Sequence, residues 1–92
     1  MADVLVQGKV VYKKDMPGKD GRPPQVMVSV QDGERFAFFV PLAHELARLE
    51  VGEFVEVSGV LQVRRYDGGV NLNISEVESW QRLQVVPLAA AE

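Results

Sequence analysis

The sequence predicts a small all-β barrel of five strands, and three features of its pattern point to that class. Short runs of alternating apolar and polar residues recur along the chain, and valine and other β-branched residues are frequent in them. Turns containing glycine separate the runs, at 32–33 and again at 67–69. One segment, between the third and fourth runs, changes to a helical spacing.

The first half of the chain contains three predicted strands. The first spans 4–12, and we expect a bend or bulge near Gly8 because an internal glycine weakens a regular strand. A long exposed loop is expected over 13–24, where glycine and proline recur. The second and third strands are predicted at 25–31 and 35–40.

Alternation within these strands assigns their side chains to two faces. The inward set is Val26, Val28, Val30, Phe36, Phe38 and Val40. Met27, Arg35 and Phe39 point outward. One phenylalanine of the third strand therefore faces away from the other two.

The second half begins with a short predicted helix between Pro41 and Gly52. Its apolar face is Leu42, Leu46 and Leu49, and a proline suits the first helical turn. Two further strands follow, whose inward residues are predicted to be Val55, Val57, Gly59, Leu61 and Val63, then Val70, Leu72 and Ile74. Beyond Ile74 the extended signal weakens, and Trp80 lies past the part of the strand that alternation defines.

Five strands with a helix between the third and fourth form the element order of an OB-fold, a partly open Greek-key barrel. Glycines in the first and fourth strands fall where such a barrel curves. An SH3-like barrel is the nearest alternative, but it would normally lack that helix. We expect one domain over 1–82 and a C-terminal tail over 83–92.

Composition argues against an enzyme. The 92 residues include no cysteine and one histidine, His44, so thiolate chemistry and a histidine-paired metal site are not expected. Only a weak Gly-x-x-Gly occurs at 18–21, so no phosphate-binding loop or cofactor is predicted. The chain shows neither a signal-peptide pattern nor a long apolar run, and a cytoplasmic protein is expected.

Residues 51–66 resemble the bacterial single-stranded-DNA-binding proteins (SSB) and their primosomal relative PriB. The shared pattern is glycine, a Val-x-Val strand, a second glycine, leucine and then basic and aromatic residues. The first strand around 6–10 and the turn at 67–69 match it too, and 18–23 resembles an element of the gene V protein of filamentous phages. The resemblance implies an OB-fold that binds single-stranded DNA, although the long linker and acidic tip by which SSB recruits partners have no counterpart here.

Single strands are bound by basic side chains that track phosphates and by aromatic rings that stack on bases. The candidate binding residues are Lys9, Tyr12, Lys13, Lys14, Lys19, Arg22, Met27, Arg35, Phe39, Arg64, Arg65 and Tyr66. Each basic residue has a simpler interpretation as a solubilising surface charge. Phe39 and Met27 would also suit a dimer contact, and Trp80 would suit a core edge or an interface better than a ligand site.

Two functional classes follow from these residues. The first is a protein that binds single-stranded DNA without strong sequence preference, as a homodimer or tetramer. The second is an accessory subunit of a replication or conjugation complex, which docks through an acidic surface; it is favoured by the net charge of −3. The residues of that surface are Glu45, Glu50, Glu53 and Glu56. RNA is a further ligand that the sequence does not separate from DNA.

Overall fold

Five strands close into a barrel in the order β1-β2-β3-β5-β4, and the computed structural model describes residues 2–84. The strands are β1 (Ala2–Met16), β2 (Gln25–Asp32), β3 (Glu34–Pro41), β4 (Phe54–Tyr66) and β5 (Gly69–Leu83). Neighbouring strands are antiparallel except β3 and β5, which run parallel. The architecture is all-β and consistent with an OB-fold, which confirms the predicted fold class. The predicted tail begins at the last residue of β5, and its positions 85–92 lie outside the described residues.

Valine fills most of the barrel interior. The buried apolar residues are Val6, Val10, Val26, Val28, Val30, Phe38, Val40, Leu46, Ala47, Leu49, Val55, Val57 and Ile74. Each fully buried valine or phenylalanine stabilises the fold by about 1.5–3 kcal/mol relative to an exposed one. The inward faces predicted for β2 and β3 are confirmed, since their valines and Phe38 are in this core and Phe36 packs against it.

The predicted helix over 41–52 is wrong in its extent, because a 3₁₀ turn at Glu45–Arg48 replaces it. Leu46 and Leu49 are buried at the three-residue spacing that a 3₁₀ turn brings onto one side, whereas Leu42 is 51% exposed. After Leu49 the chain pairs with β1, where the Gly52 N–H donates to the carbonyl of Val10. That pairing leaves no room for a longer helix.

Within 2–84, no helix has the length and apolar character needed to cross a membrane.

β1 is longer than predicted. Its last four residues pair with the start of β2, through Asp15 opposite Val26, so the loop shrinks to 17–24. The expected bulge also lies elsewhere, since the register shifts at Val11. Gly8 instead allows a close approach of backbones, because a Cβ there would collide with the carbonyl oxygen of Gln31.

The β4–β5 hairpin extends past the barrel, and the molecule is 54 Å along its longest axis. β1 begins at Ala2, opposite Leu61, so β4 beyond that point pairs with β5 alone. Val63 is consequently 48% exposed and Val70 52% exposed, and both predictions of an inward position are wrong. We refer to residues 62–71 as the β4–β5 arm.

Two bulges distort β5. Its pairing with β4 skips Ser75 and Glu78, so each is an extra residue on this strand. Ile74, Val77 and Trp80 therefore face the barrel core at intervals of three residues. The strand continues through Trp80 to Leu83, whereas the sequence pattern defined it only to Ile74.

Candidate nucleic-acid interface

A groove of about 770 Å³ crosses the outer face of the barrel. One wall is formed by β2 and β3, and contains Met27, Ser29, Arg35, Ala37 and Phe39. The other wall is formed by β4 and β5, and contains Gln62, Arg64, Tyr66, Val70, Asn71, Leu72, Asn73, Ile74 and Ser75. Five predicted site residues meet here, namely Met27, Arg35, Phe39, Arg64 and Tyr66.

The β2–β3 wall presents an apolar platform beside a floor of small residues. Met27 lies directly opposite Phe39, and Ser29 lies opposite Ala37. Side chains in such cross-strand pairs stand about 5 Å apart, so Met27 and Phe39 form one continuous surface. Phe39 is 44% exposed and Ser29 is buried. The platform can therefore receive a planar ring from the solvent side.

The β4–β5 wall combines polar side chains with three aliphatic ones, and it ends in an aromatic ring. Gln62 pairs with Asn73, and Arg64 pairs with Asn71, on strands that continue into the arm. Tyr66 lies opposite Gly69, and its ring sits over this glycine, because a Cβ there would lie 2.8 Å from the tyrosine hydroxyl. A glycine next to the turn thus leaves space for an exposed ring at the end of the groove.

The groove carries positive charge on an acidic chain. Arg35 and Arg64 contribute one guanidinium from each wall, and none of the described lining residues is an aspartate or glutamate. Within 2–84 the one salt bridge joins Arg82 to Glu53, so neither groove arginine is neutralised by a described carboxylate. Since the whole chain has a net charge of −3, the groove differs in sign from the molecule around it.

Two predicted residues of β1, Tyr12 and Lys14, lie beside the β2–β3 wall. Lys14 is opposite Met27 and Tyr12 is opposite Ser29, and both partners line the groove. Lys9 is on the same outward face, but its partner Gln31 does not line the groove. The prediction that Lys14 belongs to a loop is wrong, yet the strand brings it to the edge of the groove.

Lys13 does not reach this face. It lies on β1 rather than in the predicted loop, and it pairs with Val28, whose side chain is in the core. Successive side chains of a strand point to opposite faces, so Lys13 lies on the core side of the sheet, where it is half-buried. Its neighbour Lys14 is the better-placed cation.

Lys19 and Arg22 lie in the loop between β1 and β2. The Arg22 N–H donates to the Lys19 carbonyl at 3.0 Å, which closes a tight turn. Both residues line a second, smaller concavity of about 170 Å³ together with Met16, Pro17, Pro23 and Gln25. These two cations are therefore near one another but outside the main groove.

Arg65 follows Arg64 on β4 and lies opposite Val70. Because consecutive side chains alternate, Arg65 points to the other face of the arm, and it does not line the groove. Arg64 and Arg65, both predicted to bind the ligand, therefore have different surroundings.

Several polar groove residues were not among the predicted site residues. They are Ser29, Gln62, Asn71, Asn73 and Ser75. The signal for all five was present, because the alternation of their strands places each of them on the outward face. What the sequence pattern lacked was the pairing of β3 with β5, at Ala37 and Asn73, which makes this polar face the second wall.

His44 and Trp80 have structural roles. The Nδ1 of His44 accepts a hydrogen bond from the Leu46 N–H at 3.0 Å, so His44 caps the 3₁₀ turn. Trp80 packs against the core, and its ring centroid lies 6.1 Å from that of His44. Trp80 thus covers the core edge and does not line the groove.

The chain matches no family model and no curated protein sequence.

Proposed function

We propose that this protein binds single-stranded DNA without strong sequence preference and acts in DNA replication, recombination or repair in the cytoplasm. The observation that carries the proposal is a groove with two arginines, two exposed aromatic rings and no described carboxylate, on a chain of net charge −3. The resemblance of 51–66 to the single-stranded-DNA-binding proteins supports the same ligand.

Each part of the groove has a role in this proposal. Phe39 and Tyr66 stack on bases, and each stack contributes about 1–3 kcal/mol. Arg35 and Arg64 neutralise phosphates, and Lys14 continues the basic track beyond Met27. Stacking requires bases that are not sandwiched within a duplex, so single strands should be preferred.

Fluorescence anisotropy of a labelled oligo-dT of about 30 nucleotides tests the proposal. We expect binding that weakens steeply between roughly 50 and 300 mM salt, with duplex DNA as a poor competitor. Oligo-U as a competitor measures how far the groove prefers DNA over RNA. No binding of oligo-dT at about 10 μM protein and low salt would reject the proposal.

A charge reversal shows whether the groove itself is used. R35E/R64E changes both cations of the groove, and we expect it to abolish measurable oligo-dT binding. Arg48→Glu is the matched control for Arg64→Glu measured alone, because each reverses one charge and Arg48 is exposed on the 3₁₀ turn and does not line the groove. Equal losses in these two single variants would indicate a bulk charge effect instead.

The alternative role as a docking subunit rests on the acidic surface. Two of its carboxylates already have partners within the chain. Glu53 pairs with Arg82 at 3.4 Å, and Glu56 accepts a hydrogen bond from the Gln7 side chain at 2.7 Å. These contacts account for part of that surface without a protein partner, and they favour the groove as the functional site.

A homodimer is the assembly we propose, with a tetramer as the larger alternative. One OB domain covers about 4–16 nucleotides, so joining two grooves increases avidity on a long strand. Light scattering coupled to size-exclusion chromatography measures the mass directly. A monomer of 10.2 kDa at all concentrations would reject this part of the proposal.

A further inference from the structure

We propose that the carboxamides of Gln62, Asn71 and Asn73 hydrogen-bond to the edges of the bases held in the groove. The inference rests on the proposed function and deepens it. The substrate would then be a strand whose Watson–Crick edges are free, recognised by more than stacking and charge.

The three carboxamides belong to the wall that faces the stacking platform. Gln62 and Asn73 are cross-strand partners, and Asn71 pairs with Arg64. Asn73 is also adjacent to Ala37 of the β2–β3 wall, through the parallel pairing of β3 with β5. Asn73 is thus the carboxamide nearest to a base stacked on Phe39, and Asn71 and Gln62 lie further along the path of the strand.

These carboxamides are not used within the described chain. Among residues 2–84, no side-chain hydrogen bond involves Gln62, Asn71 or Asn73. Outside the groove, Gln7 donates to Glu56 at 2.7 Å and Gln31 donates to the Gly33 carbonyl at 3.0 Å, whereas Gln25 and Gln81 make no such bond. The groove carboxamides have no described side-chain partner and are therefore available to a ligand.

Asn71 and Asn73 are also residues that β-strands disfavour. Asparagine is depleted in β-strands, where β-branched and aromatic residues fit better, yet β5 carries it at two successive positions of one face. Positions that contradict local propensity are expected at functional sites. A binding role explains why this face is not built from threonine or valine.

The chemistry of a carboxamide suits any base. Its oxygen accepts and its NH₂ donates, and base edges present donors and acceptors side by side. Because a side chain of this kind adapts to each base, it adds affinity with little sequence preference. In a duplex the same edges are already paired. The carboxamides would therefore strengthen discrimination against duplex DNA.

Methylation of the base edge provides the test. Oligo-dT is compared with the same oligonucleotide carrying N3-methylthymine, which removes the edge donor but retains the phosphates and the ring face. We expect the methylated strand to bind the wild-type protein about tenfold more weakly, equivalent to ~1.4 kcal/mol. Q62A/N71A/N73A, which removes all three carboxamides, should bind both strands equally. Gln81→Ala is the matched control, since Gln81 is exposed on the same strand outside the groove, and it should retain the tenfold difference.

Equal wild-type affinity for the two strands would overturn the inference, and this comparison needs no variant to fold. Loss of affinity in Q62A/N71A/N73A with methyl sensitivity retained would also overturn it, because the carboxamides would then contact phosphates. Failure of the wild-type protein to bind either strand would reject the proposed function itself. Thermal melting of each variant confirms that the barrel is intact.

Discussion

Met27 lies directly opposite Phe39 across β2 and β3, and both side chains line the groove. Phe38, the residue before Phe39, is fully buried in the barrel core. Adjacent phenylalanines on one strand therefore serve two purposes, because alternation sends one ring into the core and the next to the surface. This arrangement allows binding and stability to be changed separately.

Phe39→Ala should weaken oligo-dT binding by about 1–3 kcal/mol, or roughly 5–150-fold, because it removes one stacking ring. Its melting temperature should change little, since the side chain is 44% exposed. Phe38→Ala should instead cost about 3–5 kcal/mol of stability through the cavity it leaves. Anisotropy and thermal melting measure the two effects. Unchanged DNA affinity in the Phe39 variant would exclude this ring from the binding site.

Arg64 and Arg65 provide a second pair of neighbours with different surroundings. Arg64→Ala should weaken binding to all single strands and lower the slope of log K against log salt by about 1, because one phosphate contact is lost. Arg65→Ala should have a smaller effect, since its side chain does not line the groove. Salt titrations of both variants measure the slopes. A larger loss in the Arg65 variant would place the nucleic-acid path on the other face of the arm.

The sequence was sufficient to predict which way side chains point where the strands are regular and one face of each strand is buried. The inward position of Phe38 and the outward position of Phe39 follow from alternation alone. The outward faces of Arg64 and Asn73 follow in the same way. Turn chemistry also predicted the hairpin at Asp32 and Gly33, which joins β2 to β3.

The sequence was insufficient to predict side-chain positions where tertiary contacts override the local pattern. The bulges of β5 space its inward residues by three, so Val77 and Trp80 gave no clear strand signal. Val63 and Val70 alternate like core residues, but no strand of the barrel covers the arm on which they lie. The second groove wall depends on the long-range pairing of Ala37 with Asn73, which a local pattern does not contain.

A substitution at Gly59 tests how closely β4 and β5 approach each other at one of the β5 bulges. A Cβ at Gly59 would collide with the carbonyl oxygen of Glu76 and would lie 2.6 Å from a methyl group of Ile74. Gly59→Ala should therefore destabilise the barrel by about 1–3 kcal/mol or more through overpacking. A fall in melting temperature of about 10 °C is the expected result for a chain of this length.

The control for that experiment is Gly33→Asn. Gly33 has a φ of 70° in the β2–β3 turn, and no atom lies within 4 Å of the Cβ position. Asparagine tolerates this left-handed conformation, so the expected loss is at most about 1 kcal/mol. If Gly59→Ala were no less stable than this control, the two backbones would have more space than the register implies.

Trp80 and Phe39 together give a spectroscopic test of where the strand binds. Trp80 is the only tryptophan of the chain and packs against the core beside His44, so its emission should change little when oligo-dT binds. Trp80→Phe should retain DNA affinity, and in that background Phe39→Trp places a single indole on the groove platform. Stacking on a base should quench this indole upon titration with oligo-dT, at the same midpoint that anisotropy gives. Quenching of the wild-type Trp80 together with an unresponsive Trp at position 39 would move the binding surface from the groove to the side of the barrel that Trp80 covers.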